Sequence, residues 1–452
     1  MWQVRARPAC GAAASLPMRT DAPSRLRCAG SPLQLVRRAR TAAPLRGAPP
    51  RPPVARTPPV GRALLFFAAA GSLTYAACGA WSVRTDARLS DRVHSWPFPA
   101  FGSLASFLPA ADAGTHEELQ VAAAQDRAAR LGRGLHRLHA ACEALALPDA
   151  LAEPTLRAYT HVAEAYLELP PWQQAAVPVL ALNTVVFGAW QVLPWLGRGA
   201  VMRRWWVHRP CSGRVATMLT SVFSHRAAAH FLLNGIAFWS VGASALDSAR
   251  FLARTNGDVA PEASFTPHML AFFATAGTFA SLVSHLLTAT RWRMLQRDVH
   301  ALARARLSAW GPERAPLASA IAAGRESLSA LAQRSSLGAS GAVYAAFAAS
   351  ALAFPEAKLS IVFLPWLAVP VQWGIAGLVA VDAIGLVRGW AVFDHAAHIG
   401  GALFGLAYFY VGASLWEGIR RWWRRTGLFD RQNGRRGWWS QLSERPPASR
   451  IV

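Results

Sequence analysis

Three stretches of this sequence set side chains capable of acyl-transfer chemistry inside or beside apolar runs. The first reads Gly338-Ala339-Ser340-Gly341, the second carries His225, His230 and Asn234, and the third carries Asp394, His395 and His398. Ionisable and amide groups inside a membrane span cost free energy unless they are paired or face a cavity, so such residues are functional candidates. Taken singly, each has a plainer explanation: a serine in a transmembrane helix bonds its own backbone, and a buried His or Asn bridges helices. Together they supply a nucleophile and a base. Ser340 is the candidate nucleophile and His398 the candidate general base, a pair that must approach within about 2.6 to 3.2 Å for proton transfer.

The neighbours of this pair have readable roles. His230 and Asn234 are four residues apart, so on a helix they share a face and can aim donors at a developing oxyanion, as can the backbone N–H of Ser340. Gly338 belongs with that oxyanion and substrate group. Asp394 stands four residues before His398; it either orients the imidazole as a third member or caps the helix start. Gly341, Gly401 and Gly405 are small residues of the kind that let helix backbones approach closely. A soluble-hydrolase elbow, GxSxG, is not present, because Ala342 occupies the last glycine position. A metal-dependent hydrolase or transporter using His225, His230, His395 and His398 is the alternative chemistry that a histidine cluster raises.

What must position these residues is a membrane bundle. Of the 452 residues, 53% are hydrophobic and 16% charged, and the mean hydropathy is +0.21, high for a soluble chain. Apolar runs fall at 63–83, 175–196, 229–246, 269–289, 338–354, 364–387 and 395–415, one extra span before a core of six. The fourth core run is short and rich in small residues. In an up-and-down core, the second, fourth and sixth runs are parallel, so the starts carrying His230, Ser340 and His398 share one face. Residues 84–174 read as an extramembrane connector with an amphipathic helix over about 117–147, opened by Thr115 as a cap.

The net charge of +23 rests almost wholly on arginine, Lys358 being the one lysine. The arginines concentrate in the first sixty residues and between the apolar runs. That distribution orients a membrane protein rather than following a nucleic-acid backbone. Residues 1–62 are Arg-rich and nearly free of acids, the pattern of a mitochondrial transit peptide; the alternative is a disordered basic arm, and residues 416–452 form a basic tail. Seven spans put the termini on opposite sides, and the basic connections 198–214 and 291–334 fall on the N-terminal side. The positive-inside rule then turns the N-terminus to the matrix, although the basic cluster at 420–425 disagrees. Cys10, Cys28, Cys78, Cys142 and Cys211 show neither CxxC spacing nor a paired framework.

The motifs GASG (338–341), HxxxxHxxxN (His225, His230, Asn234) and AHxxGxxxG (397–405) resemble the rhomboid family of intramembrane proteases. The stretches PEAKLSIVFLP (355–365) and FDHAAHIGGALFG (393–405) resemble its mitochondrial, presenilin-associated rhomboid-like branch. The resemblance implies an all-α polytopic bundle, a rhomboid-like six-helix core (175–415) plus an extra N-terminal transmembrane helix. It further implies an intramembrane serine endopeptidase of the mitochondrial inner membrane, multi-pass, with transmembrane protein substrates in the lipid bilayer, no nucleic acid, no cofactor and no metal. By the same resemblance Ser340 and His398 form a dyad that requires no acid, His230 and Asn234 serve the oxyanion, and Tyr344 packs against His398. A catalytically inactive rhomboid-like scaffold is the other outcome it allows. Many rhomboids carry a Trp-Arg pair in the first loop, where this chain reads RVATMLTSVFSH (214–225), with Trp205 and Trp206 farther upstream.

Overall fold

The structure, a computed structural model, describes residues 56–94, 116–255, 262–361 and 364–429. The expected leader lies almost wholly outside these residues, as do most of the basic tail and Thr115. Helices follow the apolar runs, as they must where no water is present to satisfy exposed backbone groups. Helix α1 covers Val60–His94. The core comprises α4 (Pro171–Trp195), α7 (Ala228–Thr255), α8 (Thr266–Ser308), α10 (Ser340–Ala353), α11 (Val371–Arg388) and α12 (His395–Arg425). All but α10 are long and apolar enough to cross a membrane. Between them lie α2 (His116–Ala144), α3 (Asp149–Glu168), α5 (Gly199–Trp205), α6 (Thr217–Thr220) and α9 (Arg314–Gln333).

Helix α8 is the hub, packing on α1, α4, α9, α10 and α12. Its Met269, Phe272 and Phe273 meet Phe238 of α7, Val179 of α4 and Tyr408 of α12 in one buried cluster, into which α10 contributes Ala342, Ala345, Ala346 and Ala349. Those alanines explain why α10 can be enclosed: a thin helix lets its neighbours close around it. At 14 residues α10 is about 21 Å long, short of the roughly 30 Å hydrocarbon core. Surrounded by α7, α8, α11 and α12, it need not reach both faces.

The structure departs from the sequence reading in several places: α1, α7 and α12 outrun the expected ends of their apolar runs, and three differences are larger. The third core helix runs 19 residues past the expected end of its apolar run, and the basic connection after it is a helical hairpin of α8 and α9. The connector holds two helices, α2 and α3, rather than one. The expected start of the fifth run, 364–370, is strand β2 (Leu364–Pro370), paired antiparallel with β1 (Lys358–Ile361), and the helix begins only at Val371. Pro365 and Pro370 account for this, since proline lacks the donor a helix interior needs and disfavours helix in the residue before it.

The extra helix α1 is fastened to the core. Tyr75 meets Trp416 edge-on at 6.2 Å, and Trp423 Nε1 donates to the Ala76 carbonyl at 2.8 Å. Arg420 of α12 is fully buried and its guanidinium donates to Asp86 of α1 at 2.8 Å and to Glu417 at 2.7 Å. Asp86 also accepts from the Ala263 N–H at 2.9 Å. At the other end of α1, the Arg56 N–H donates to the Cys211 carbonyl at 3.1 Å. The start of α1 therefore lies beside the first core loop.

Candidate active site

The start of α10 is held by backbone and side chain together. Ser336 and His208 exchange two backbone hydrogen bonds of 2.9 Å, and the Gly338 N–H donates to the Ser221 carbonyl at 2.9 Å. Gly338 has φ +126°, and a Cβ there would lie 2.6 Å from the His230 ring, so both backbone and space require glycine. The Ala339 N–H donates to His225 Nε2 at 3.1 Å. Burial, with the nearby His230 ring, pushes His225 down to about 3. It is therefore neutral near pH 7, the state in which Nε2 can accept.

Ser340 is thereby the first residue of α10, beneath the face where the loops lie. Its Oγ is 2.9 Å from His398 Nε2, within the range for proton transfer. The approach depends on glycines between α10 and α12. A Cβ on Gly401 would lie 2.1 Å from the Gly341 carbonyl oxygen, and one on Gly405 2.1 Å from that of Ala345; Gly341 itself faces Ala280 of α8. The Tyr344 ring stacks on the His398 ring at 4.4 Å and 15°.

The other side of His398 is occupied by a residue not singled out above. Asp382 of α11, 3% exposed, lies 3.0 Å from His398 Nδ1 and 2.6 Å from His395 Nδ1. It also accepts from the Tyr344 hydroxyl at 2.6 Å. Its signal in the sequence is visible once sought: it is the one charged residue within 364–387, the kind of intramembrane acid that needs a partner. Asp394 does not approach the imidazole. It caps α12, accepting from the Ala397 N–H at 3.2 Å, and accepts from the Ser284 hydroxyl at 2.7 Å. Of the two readings of Asp394, the geometry corresponds to the cap.

A cavity of about 720 Å³ opens over this site, lined by His230, Gly338, Ser340, His395 and His398 and extending to loop residues such as Trp390. Asn234 is buried, and one N–H of its amide donates to the His230 carbonyl at 2.8 Å. Three of the four histidines of the metal alternative have polar partners, His225 at the Ala339 N–H and His395 and His398 at Asp382, while the His230 ring packs over Gly338. Among the described residues no group of three or more His, Cys, Asp or Glu is arranged to hold a metal ion.

Comparison with known proteins places the arrangement. The Rhomboid domain model matches residues 314–415, which span α9 to α12 and so include both Ser340 and His398. The chain is 31% identical over 244 residues to presenilin-associated rhomboid-like protein A, mitochondrial, of Danio rerio, covering 54% of this chain and 49% of that protein.

Residues 314–415 thus match a rhomboid domain, and the chain is similar to rhomboid-like proteins.

Its similarity extends to the human presenilin-associated rhomboid-like protein, mitochondrial (29% over 244 residues, 54% of this chain and 49% of that one). Rhomboid protein 1, mitochondrial, of Saccharomyces cerevisiae is 28% identical over 236 residues, 51% of each. These matches support the presenilin-associated branch. The chain spans about half the length of the curated relatives it matches. No solved structure matches it.

Proposed function

We propose that this chain is a rhomboid, an intramembrane serine endopeptidase with Ser340 as nucleophile and His398 as general base. The observation that carries the reading is the 2.9 Å contact between Ser340 Oγ and His398 Nε2 at the floor of a cavity inside a multi-pass helical bundle. A substrate helix, unwound near the cavity, presents its scissile carbonyl to Ser340. As Oγ attacks, its proton passes to His398 Nε2. The oxyanion faces the N–H of Ser340, which as a first-turn helix donor has no i−4 partner, and His230 on the neighbouring wall; Asn234 gives one amide N–H to the His230 carbonyl and has its second N–H to add to them. Collapse breaks the C–N bond while the imidazolium returns the proton to the departing amine. Water, activated by the same histidine, then hydrolyses the ester.

The substrates are transmembrane segments of other membrane proteins. Relatives named as mitochondrial and the Arg-rich leader support a seat in the mitochondrial inner membrane, with residues 1–62 as the targeting segment. The start of α1 lies beside the first core loop, part of which lines the cavity, so an α1 that begins on the matrix side puts the cavity mouth there too. The test is cleavage of a single-span reporter by the purified chain in liposomes, comparing wild type with Ser340→Ala and His398→Ala, with and without a chelator. Cleavage lost in both variants and indifferent to the chelator is expected. Equal cleavage by the variants overturns the reading, and no cleavage by any form points to the scaffold.

A further inference from the structure

We infer that Asp382 is the positioning residue that sets the tautomer of His398, turning the serine and histidine pair into a three-member array; this rests on the protease reading above. The geometry is that of a carboxylate reaching an imidazole from a third element. Helix α10 supplies Ser340, α12 supplies His398, and α11 supplies Asp382. Asp382 meets Nδ1 of His398, the nitrogen remote from Ser340, at 3.0 Å. An ionised carboxylate only accepts, so Nδ1 must carry a proton. Neutral imidazole carries one proton, which leaves Nε2 bare and facing the Ser340 hydroxyl.

The carboxylate is itself held. The Tyr344 hydroxyl donates to one oxygen and His395 Nδ1 approaches the other, so the remaining lone pairs of a buried acid are used and its direction is fixed. A buried ion is tolerated in a span only with such partners. Tyr344 performs two tasks, since its ring also stacks on His398. The distinction from Asp394 is geometric: that residue's carboxylate is committed to Ala397 N–H and Ser284.

In the reaction, the proton leaves Ser340 Oγ for His398 Nε2 and later goes to the leaving amine. Asp382 keeps its charge throughout, facing the imidazolium that forms between those two transfers. Replacing it by asparagine preserves shape but offers an N–H to Nδ1, which favours the tautomer with a proton on Nε2. The base is then blocked.

The experiment compares wild type, Asp382→Asn, Asp394→Asn and Ser340→Ala as full chains in liposomes, with kcat and KM for the single-span reporter. Asp382→Asn should lower kcat by roughly 100- to 10,000-fold with KM little changed, and Asp394→Asn should stay near wild type. A wild-type kcat in Asp382→Asn, with Ser340→Ala inactive, overturns the role of Asp382 and leaves the dyad standing; full cleavage by Ser340→Ala overturns the protease reading itself. Should Asp382→Asn fail to fold, the nitrogen NMR signals of His398 in the unsubstituted chain decide, assigned by difference against His398→Gln. A protonated Nδ1 and bare Nε2 are expected at neutral pH, and a proton on Nε2 overturns the inference.

Discussion

Replacing Gly401 by alanine tests whether helix approach controls the chemistry. The added Cβ would sit 2.1 Å from the Gly341 carbonyl oxygen, and real Cβ atoms essentially never come within 3.0 Å. Helices α10 and α12 must therefore part by about 0.9 Å at the least, since neither contact atom belongs to a flexible side chain and packed interiors have little slack. Ser340 starts α10 and His398 lies one turn before Gly401. If the separation passes to them, their 2.9 Å contact opens to about 3.8 Å, beyond the roughly 3.2 Å at which proton transfer is efficient. A misplacement of that size costs on the order of 100-fold in rate, while overpacking costs about 1 to 3 kcal/mol in stability. The assay is kcat for reporter cleavage in liposomes beside a thermal unfolding curve in detergent. A folded Gly401→Ala chain cutting within about threefold of wild type would refute the reasoning, because 100-fold is the loss that the displacement predicts.

Three further outcomes follow from contacts elsewhere. Arg420→Met leaves Glu417 without its guanidinium and Asp86 with only the more distant Arg424 at 3.8 Å, which should cost about 3 to 5 kcal/mol and appear as a lower detergent unfolding midpoint; an unchanged midpoint would show that the tie is not needed. Asp394→Ala removes the α12 cap, for about 0.5 to 2 kcal/mol, yet should leave kcat nearly intact; a loss of kcat without destabilisation would return Asp394 to the catalytic array. His225 and His208, pushed down to about 3 by burial, stay neutral in the folded chain where the unfolded chain takes up protons near pH 6.5. Stability should thus fall as pH drops from about 6.5 toward 3, by up to about 1.4 kcal/mol per pH unit for each histidine; a midpoint flat from pH 7 to pH 5 would contradict this.

Much of the architecture is legible before any coordinates. The apolar runs mark the helices because backbone inside a bilayer must satisfy itself, and the parallel second, fourth and sixth core runs put His230, Ser340 and His398 at one end of the bundle. The strand pair of Lys358–Ile361 and Leu364–Pro370 is less legible. Its apolar residues look like the start of a span, and only Pro365 and Pro370 argue otherwise. The helical hairpin after residue 289 is polar and basic, so hydropathy gives no reason to extend α8 through it.

Within the site, short-range spacing misdirects. Asp394 is four residues from His398 and draws attention for that reason, whereas the acid that reaches the imidazole, Asp382, comes from another helix and is related to it only by tertiary packing. The same limit applies to Arg420 and Asp86, which are joined across 334 positions of sequence. Asn234 shares the face of His230 as expected from its spacing, but helix periodicity does not determine where an amide turns, and here it turns to its own backbone.

The most direct test of the central claim is labelling of the intact chain in liposomes by a serine-directed fluorophosphonate, with the modified residue located by peptide mass spectrometry. One adduct on Ser340, absent in Ser340→Ala and strongly slowed in His398→Ala, is the predicted result. Labelling that persists in Ser340→Ala, or that proceeds at the wild-type rate in His398→Ala, would contradict a serine activated by that histidine.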